Sequence, residues 1–118
     1  MNRRRADPLP VLAAIAAALA VIAGAYGAHG ASGAPAGWLA TGSHYQLAHA
    51  VAAFAVLGRP GGRASAWLFI AGGAVFAGTL CAMAIGAPRW LGAATPLGGL
   101  SLIAGWLWLA WSAMRVRG

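Results

Sequence analysis

The chain has 118 residues, 61% of them hydrophobic and only 8% charged, with no lysine, no glutamate and a single acid, Asp7. A soluble domain covers itself with about 25% charged residues, so a self-standing water-soluble fold is excluded and the lipid bilayer is the expected surrounding. The net charge of +7 comes from arginines placed between apolar runs or at the chain ends, a topology signal rather than the one-sided basic face of a nucleic-acid binder.

The first stretch poses a choice. Arg3-Arg4-Arg5 followed by an apolar run from Val11 to Ala23 and then Ala23-Gly24-Ala25 has the form of a cleavable signal peptide. The run continues to Ala28, however, which is about long enough to span, and similar segments follow it. The expectation is a retained first span.

Four apolar segments follow in order, at about residues 10–28, 38–57, 65–86 and 96–114, each near the ~20 residues that cross a ~30 Å hydrocarbon core. The connections Gly30–Gly37, Gly58–Arg63 and Ala87–Thr95 are short and rich in Gly and Pro. Short connections make successive helices antiparallel neighbours. The expected fold is therefore all-α, a single four-transmembrane-helix up-down-up-down bundle over residues 1–118. Arg3, Arg4, Arg5, Arg59, Arg63, Arg115 and Arg117 fall on one side and only Arg89 on the other. The positive-inside rule then makes both termini cytoplasmic, with Trp38 and Trp90 at the outer interface and Trp67 and Trp111 near the inner one. Trp106 and Trp108, somewhat deeper, read as packing or lipid contact, with the wall of a cofactor site as the alternative. The alanine- and arginine-rich composition suits a bacterial inner (plasma) membrane.

Local signals set the ends and the packing. Pro8 and Pro10 suit a helix start, and Thr95-Pro96 reads as an N-cap followed by proline at the first helical position, with Trp90–Ala94 as an interfacial lead-in. Small residues recur every fourth position as Ala16, Ala20, Gly24 and Ala28, and again as Ala74, Gly78, Ala82 and Gly86. Such stripes let helix backbones approach closely in lipid.

The candidate site lies in the second segment. Thr41-Gly-Ser-His-Tyr-Gln-Leu-Ala-His-Ala50 concentrates polar side chains where hydrocarbon is expected, and such groups usually face a bundle interior with partners. At 100° per residue, Gly42, Tyr45, Gln46 and His49 fall within about a 100° arc, with Thr41 beside them. His44 projects well away and Ser43 lies nearly opposite, which argues against one metal held by His44 and His49 together. His49 sits about 16 Å from Trp38, near the bilayer middle. His29, Thr79, Cys81 and Thr95 fall in the outer half, so the expectation is one outward-biased polar cluster above an apolar inner plug. A proton or ion path through the monomer lacks relay groups in that plug.

Three readings of the histidines stand side by side. In one, neutral His49, Gln46 and Tyr45 satisfy one another and fix the packing. In another, His29, His44 or His49, with or without Cys81, ligates haem or a transition metal. In the third, Tyr45 and His49 line an outward-open pocket for a small lipid or quinone-like molecule. Paired-carboxylate chemistry has no material here, since Asp7 is the only acid. The functional expectation is a non-enzymatic structural, assembly or small-ligand-binding component, alone, as a homo-oligomer or with a membrane-complex partner. A redox protein and an oligomeric transporter or channel subunit are the alternatives.

Three motifs carry a resemblance: Gly24-Ala-Tyr-Gly-Ala-His-Gly30, Thr41 to Ala50, and Trp90-Leu-Gly-Ala-Ala-Thr-Pro-Leu-Gly-Gly99, with Gly105-Trp106 beyond. Together they resemble the small membrane family called domain of unknown function 423, whose vertebrate relatives are named transmembrane protein 256. The resemblance covers nearly the whole chain in order and implies a four-helix integral membrane protein, with no established activity or ligand. It matches Tyr45, Gln46 and His49, the first-loop His29, and Thr95, Pro96, Gly98 and Gly99 to the family's motifs. Two departures stand out. Ala48 replaces an aromatic common in relatives, and Phe76-Ala-Gly-Thr-Leu-Cys81 replaces a pattern with a serine and a tyrosine.

Overall fold

A computed structural model describes residues 5–115. Arg3, Arg4 and Arg117, on which part of the orientation argument rests, lie outside the described residues. Four long helices account for most of the chain: α1 (Pro8–His29), α2 (Gly33–Val56), α3 (Gly62–Ala84) and α4 (Thr95–Arg115), with a short 3₁₀ turn at Arg89–Ala93 leading into α4. No strand occurs among the described residues.

The helix ends have local causes. Asp7 caps α1, its carboxylate accepting the Leu9 N–H at 3.1 Å, and Pro8 occupies the first turn, where its missing N–H does no harm. Helix α2 starts at Gly33, five residues before the expected Trp38, which shrinks the first connection to Gly30–Ser32. A Gly/Pro-rich stretch reads as loop, yet Gly33 supplies the positive φ of 66° at the turn and Pro35 is harmless in a first turn. The 3₁₀ turn matches the expected lead-in. Thr95, however, is the first residue of α4 rather than its cap, and its hydroxyl shares a 2.6 Å hydrogen bond with the Thr79 hydroxyl of α3.

Helix α3 is the hub, packed against α1, α2 and α4, while α1 and α2 pack against each other. Neither α1 nor α2 packs along α4. Side-chain-to-carbonyl bonds stitch the pairs: Ser43 donates to Ala20 O at 2.7 Å, Ser65 to Gly105 O at 2.7 Å, and Ser101 to Leu68 O at 3.0 Å. In lipid such interhelical bonds contribute on the order of 0.6–2 kcal/mol each. Close approach of α3 and α4 depends on Gly98, where a Cβ would sit 2.5 Å from Phe76 N and 2.7 Å from Gly72 O.

The small-residue stripe of α1 is seated as expected for Ala16 and Ala20, both buried, with Gly24 under Ser43. That of α3 is displaced. Ala74, Gly78 and Gly86 are exposed, and the packed positions are Gly72, Gly73 and Ala77, which meet Gly98, Gln46 and Gly42. Small residues are so frequent in α3 that the sequence offers several candidate stripes, and only the neighbours select one.

The buried apolar core gathers Leu9 and Ala13 of α1, Ala52, Ala53 and Val56 of α2, Ala66 and Phe69 of α3, and Leu102 of α4. It therefore sits toward the end where α1 and α3 begin and α2 finishes. At that end Arg63 donates twice to the Asp7 carboxylate, at 2.8 and 3.2 Å. These bonds, with the Leu9 N–H, hold the Asp7 carboxyl below its ordinary range. The pair is solvent-exposed, so its share of stability is small. At the opposite end, the Arg89 guanidinium lies 5.8 Å from the Trp38 ring centroid.

The outward faces are apolar as well: Ile15, Leu19, Ile22, Val51, Leu100, Ile103 and Leu107 are all exposed. Patches of this extent are foreign to soluble monomers and suit contact with lipid tails. Helices Pro8–His29 and Gly62–Ala84 and the segment Arg89–Arg115 are long and apolar enough to cross a membrane. Helix α2 has the length, 24 residues, but its apolar character is diluted by His44, Tyr45, Gln46 and His49.

Candidate functional site

The seam between α2 and α4 holds the most informative geometry in the molecule. His49 is 8% exposed. Its ring Nδ1 donates to the Tyr45 carbonyl one turn earlier, at 2.7 Å, and its Nε2 accepts the indole N–H of Trp106 at 3.0 Å. A carbonyl only accepts and an indole only donates. The two partners therefore select one neutral tautomer, with the proton on Nδ1. Aromatic rings enclose it: Phe69 lies edge-on at 5.3 Å between centroids, Trp106 edge-on at 5.9 Å, and the Tyr45 ring runs nearly parallel at 6.4 Å. Tyr45 in turn meets Phe76 edge-on at 5.0 Å.

This arrangement departs from mutual satisfaction among Tyr45, Gln46 and His49. Tyr45 supplies its backbone carbonyl rather than its hydroxyl, and the remaining partner is Trp106, which the sequence reading assigned to packing or lipid contact ahead of a cofactor wall. Its signal was present as one side chain with a single donor at matching depth. Nothing in the sequence shows which face of α4 meets α2, so the pairing stayed hidden.

The remaining candidates divide among separate surroundings. Thr41 and His44 are exposed and line, with Ala40, Tyr45, Ala48 and His49, a cavity of about 430 Å³ on the open face of α2. Tyr45 and His49 also line a second cavity of about 410 Å³, with Phe76, Gly99, Leu102, Ile103 and Trp106. Gln46 is buried but serves a different space, a groove shared with Leu19, Tyr26, Ala77 and Cys81 between α1 and α3. Thr95 is buried and bonded to Thr79. His29 is exposed in the last turn of α1 and borders none of these cavities. The single outward-biased cluster expected from sequence is thus several local arrangements, because the helix faces carrying them point to different neighbours.

For metal chemistry, the donor set is scattered. Among the described residues no three His, Cys, Asp or Glu side chains gather, and both nitrogens of His49 are engaged.

Comparison with known proteins agrees with the motif resemblance. The family model described as "Protein of unknown function (DUF423)" matches residues 23–99. The UPF0382 inner membrane protein YgdD of Escherichia coli K12 is 34% identical over 87 residues, covering 69% of this chain and 66% of that relative. The UPF0382 membrane protein SH2409 of Staphylococcus haemolyticus is 46% identical over 52 residues, 44% of this chain and 43% of its own length. No solved structure matches the chain. The matched span contains the His29, Tyr45, Gln46, His49 and Thr95 motifs, and with the membrane-length helices around them the chain belongs to the DUF423 family as a multi-pass inner-membrane protein.

Proposed function

We propose that the protein is a non-enzymatic, four-span up-down-up-down bundle with both termini cytoplasmic, and that it binds a small apolar molecule in the open seam between α2 and α4. The observation that carries this reading is the state of His49. Its two nitrogens are committed to Tyr45 O and Trp106, so the ring acts as a tie that holds α4 across from α2 instead of as an acid, base or ligand. The tie leaves cavities on either side that open laterally toward lipid. Pockets of a few hundred Å³ with mostly apolar walls and a few polar groups are the usual form of small-molecule sites.

Contacts between helix ends support the topology. The start of α1 meets the start of α3 through Asp7 and Arg63, and the start of α2 meets the lead-in to α4 through Trp38 and Arg89. With α1 and α3 entering from one side, a return of α2 across the same thickness is the connection proposed here, supported by the burial of its Gln46 and His49 against α3. Leu9 and Ala13 belong to the core, which supports retention of the first span.

The test is a thermal-shift panel of neutral apolar molecules on the protein purified in mild detergent, with optical spectra and metal analysis alongside. At least one compound should stabilise it saturably, and the spectra should lack a Soret band. A stoichiometric haem or metal, or a panel without any stabilising compound, would overturn the binding reading.

A further inference from the structure

We infer that the seam site takes a neutral, planar, carbonyl-bearing lipid, a quinone-like ring with an apolar tail, and that the Tyr45 hydroxyl is its hydrogen-bond donor. This deepens the binding reading above and rests on it.

The argument starts from what faces the two cavities. Their shared wall is Tyr45 and His49. Tyr45 is half exposed, and among the described residues its hydroxyl makes no hydrogen bond. His44, exposed on the same opening, is likewise without a partner there. Both lie midway along α2, the depth at which hydrocarbon would surround them if α2 spans. A polar group left unsatisfied at that depth costs several kcal/mol, so an acceptor arriving from the bilayer is favoured at this point.

The walls then restrict what that acceptor belongs to. No Asp, Glu, Arg or Lys lines either cavity, which disfavours an ion or a charged phospholipid headgroup, since burying an unpaired charge is costly. One side is built of flat rings: Tyr45, Phe76 and Trp106. Aromatic rings pack best against another planar group in offset or edge-on geometry. Gly99 keeps that wall low, and Ala48 keeps the neighbouring opening clear. His49 cannot supply the donor without giving up Tyr45 O, nor accept without giving up Trp106. That leaves Tyr45, His44 and Thr41 for recognition, and of these Tyr45 alone lines both cavities. A neutral ring carbonyl fits this donor, and a hydrophobic tail fits the groove continuing past Trp106 along Ala52, Ala55 and Leu109, which meets a charge, Arg59, at its far end.

The experiment titrates the full-length protein in mild detergent with decylbenzoquinone and, in a parallel arm, dioctanoylglycerol, which also carries carbonyls and apolar tails but no planar ring. The expected result is saturable binding of one quinone per chain, with at least about tenfold preference over the glyceride. Tyr45→Phe should weaken quinone binding about tenfold while the unliganded melting temperature does not fall. Ile103→Trp, at the ring-lined cavity, should block it while leaving the bundle folded. Equal affinity for both probes, or quinone binding indifferent to Tyr45→Phe and Ile103→Trp, would overturn the inference. So would efficient disulfide cross-linking of Ala48→Cys between chains in native membranes, which would mean that a second copy covers the opening. If the panel yields a stabilising ligand that is not quinone-like, this inference fails and the broader binding reading survives; if nothing binds, both fail.

Discussion

Trp106 of α4 donates its indole N–H to His49 Nε2 at 3.0 Å, across a seam where the two helices otherwise make no extended contact. This one hydrogen bond joins two helices that are each packed on α3, and it fixes the tautomer of the buried His49. Removing either partner leaves the other polar atom in an aromatic, water-poor setting. Trp106→Phe and His49→Ala should each lower stability by roughly 1–3 kcal/mol, and the double variant should lose clearly less than the sum. Detergent-solubilised unfolding of the four proteins of the cycle measures this; strict additivity would mean the bond contributes nothing.

Gly98 permits the nearest approach between α3 and α4. A side chain there meets Phe76 and Gly72 backbone, which cannot rotate away. Gly98→Val should cost on the order of 1–3 kcal/mol through overpacking, whereas Gly99→Ala, whose nearest neighbour is the Phe76 ring at 3.8 Å, should be nearly silent. Melting temperatures of the two variants separate local crowding from a general intolerance of the motif.

Ser65 is fully buried and donates to Gly105 O. Ser65→Ala removes the donor but leaves a small apolar side chain, so the loss should be close to 1 kcal/mol, the net worth of one interhelical bond. Ser65→Val adds a methyl group in a packed site and should cost more. Equal stability of all three proteins would show that the bond is energetically idle.

Asp7 gives the molecule a small acid sensitivity. Its folded-state carboxyl titrates below the ordinary value because Arg63 and then the Leu9 N–H bond to it. A depressed carboxylate stabilises the fold above the unfolded-state value, and that contribution disappears as pH falls through the folded one. The melting temperature of the parent should therefore exceed that of Asp7→Asn slightly at neutral pH, with the gap closing in acid. High salt should narrow the gap as well, since the pair is exposed.

The proposed orientation makes opposite demands on two positions. In a Cys81→Ala background, Gly86→Cys should react with a membrane-impermeant maleimide in intact cells, and Arg59→Cys only after permeabilisation. The reverse pattern would invert the topology without changing the fold.

Much of this protein was legible before any coordinates. Long apolar runs, a shortage of charge and arginines at the run ends dictate membrane-length helices, because only helices satisfy every backbone group locally in lipid. The motif at 41–50 singled out His49, which the structure buries and supplies with two hydrogen-bond partners. Tertiary structure alone decided which partners those are. Helix rotation and pairing in lipid depend on small differences in close packing, not on a hydrophobic face, and this chain is apolar nearly all around. Hence the sequence could not rank the Gly72–Gly73–Ala77 surface of α3 above the Ala74–Gly78–Ala82 stripe, separate Gln46 from His49, or bring Trp106 to the ring it fixes. The spans follow from residues within reach of one another along the chain; the seam between α2 and α4 follows from residues 57 positions apart, whose meeting only the packing of both helices on α3 arranges.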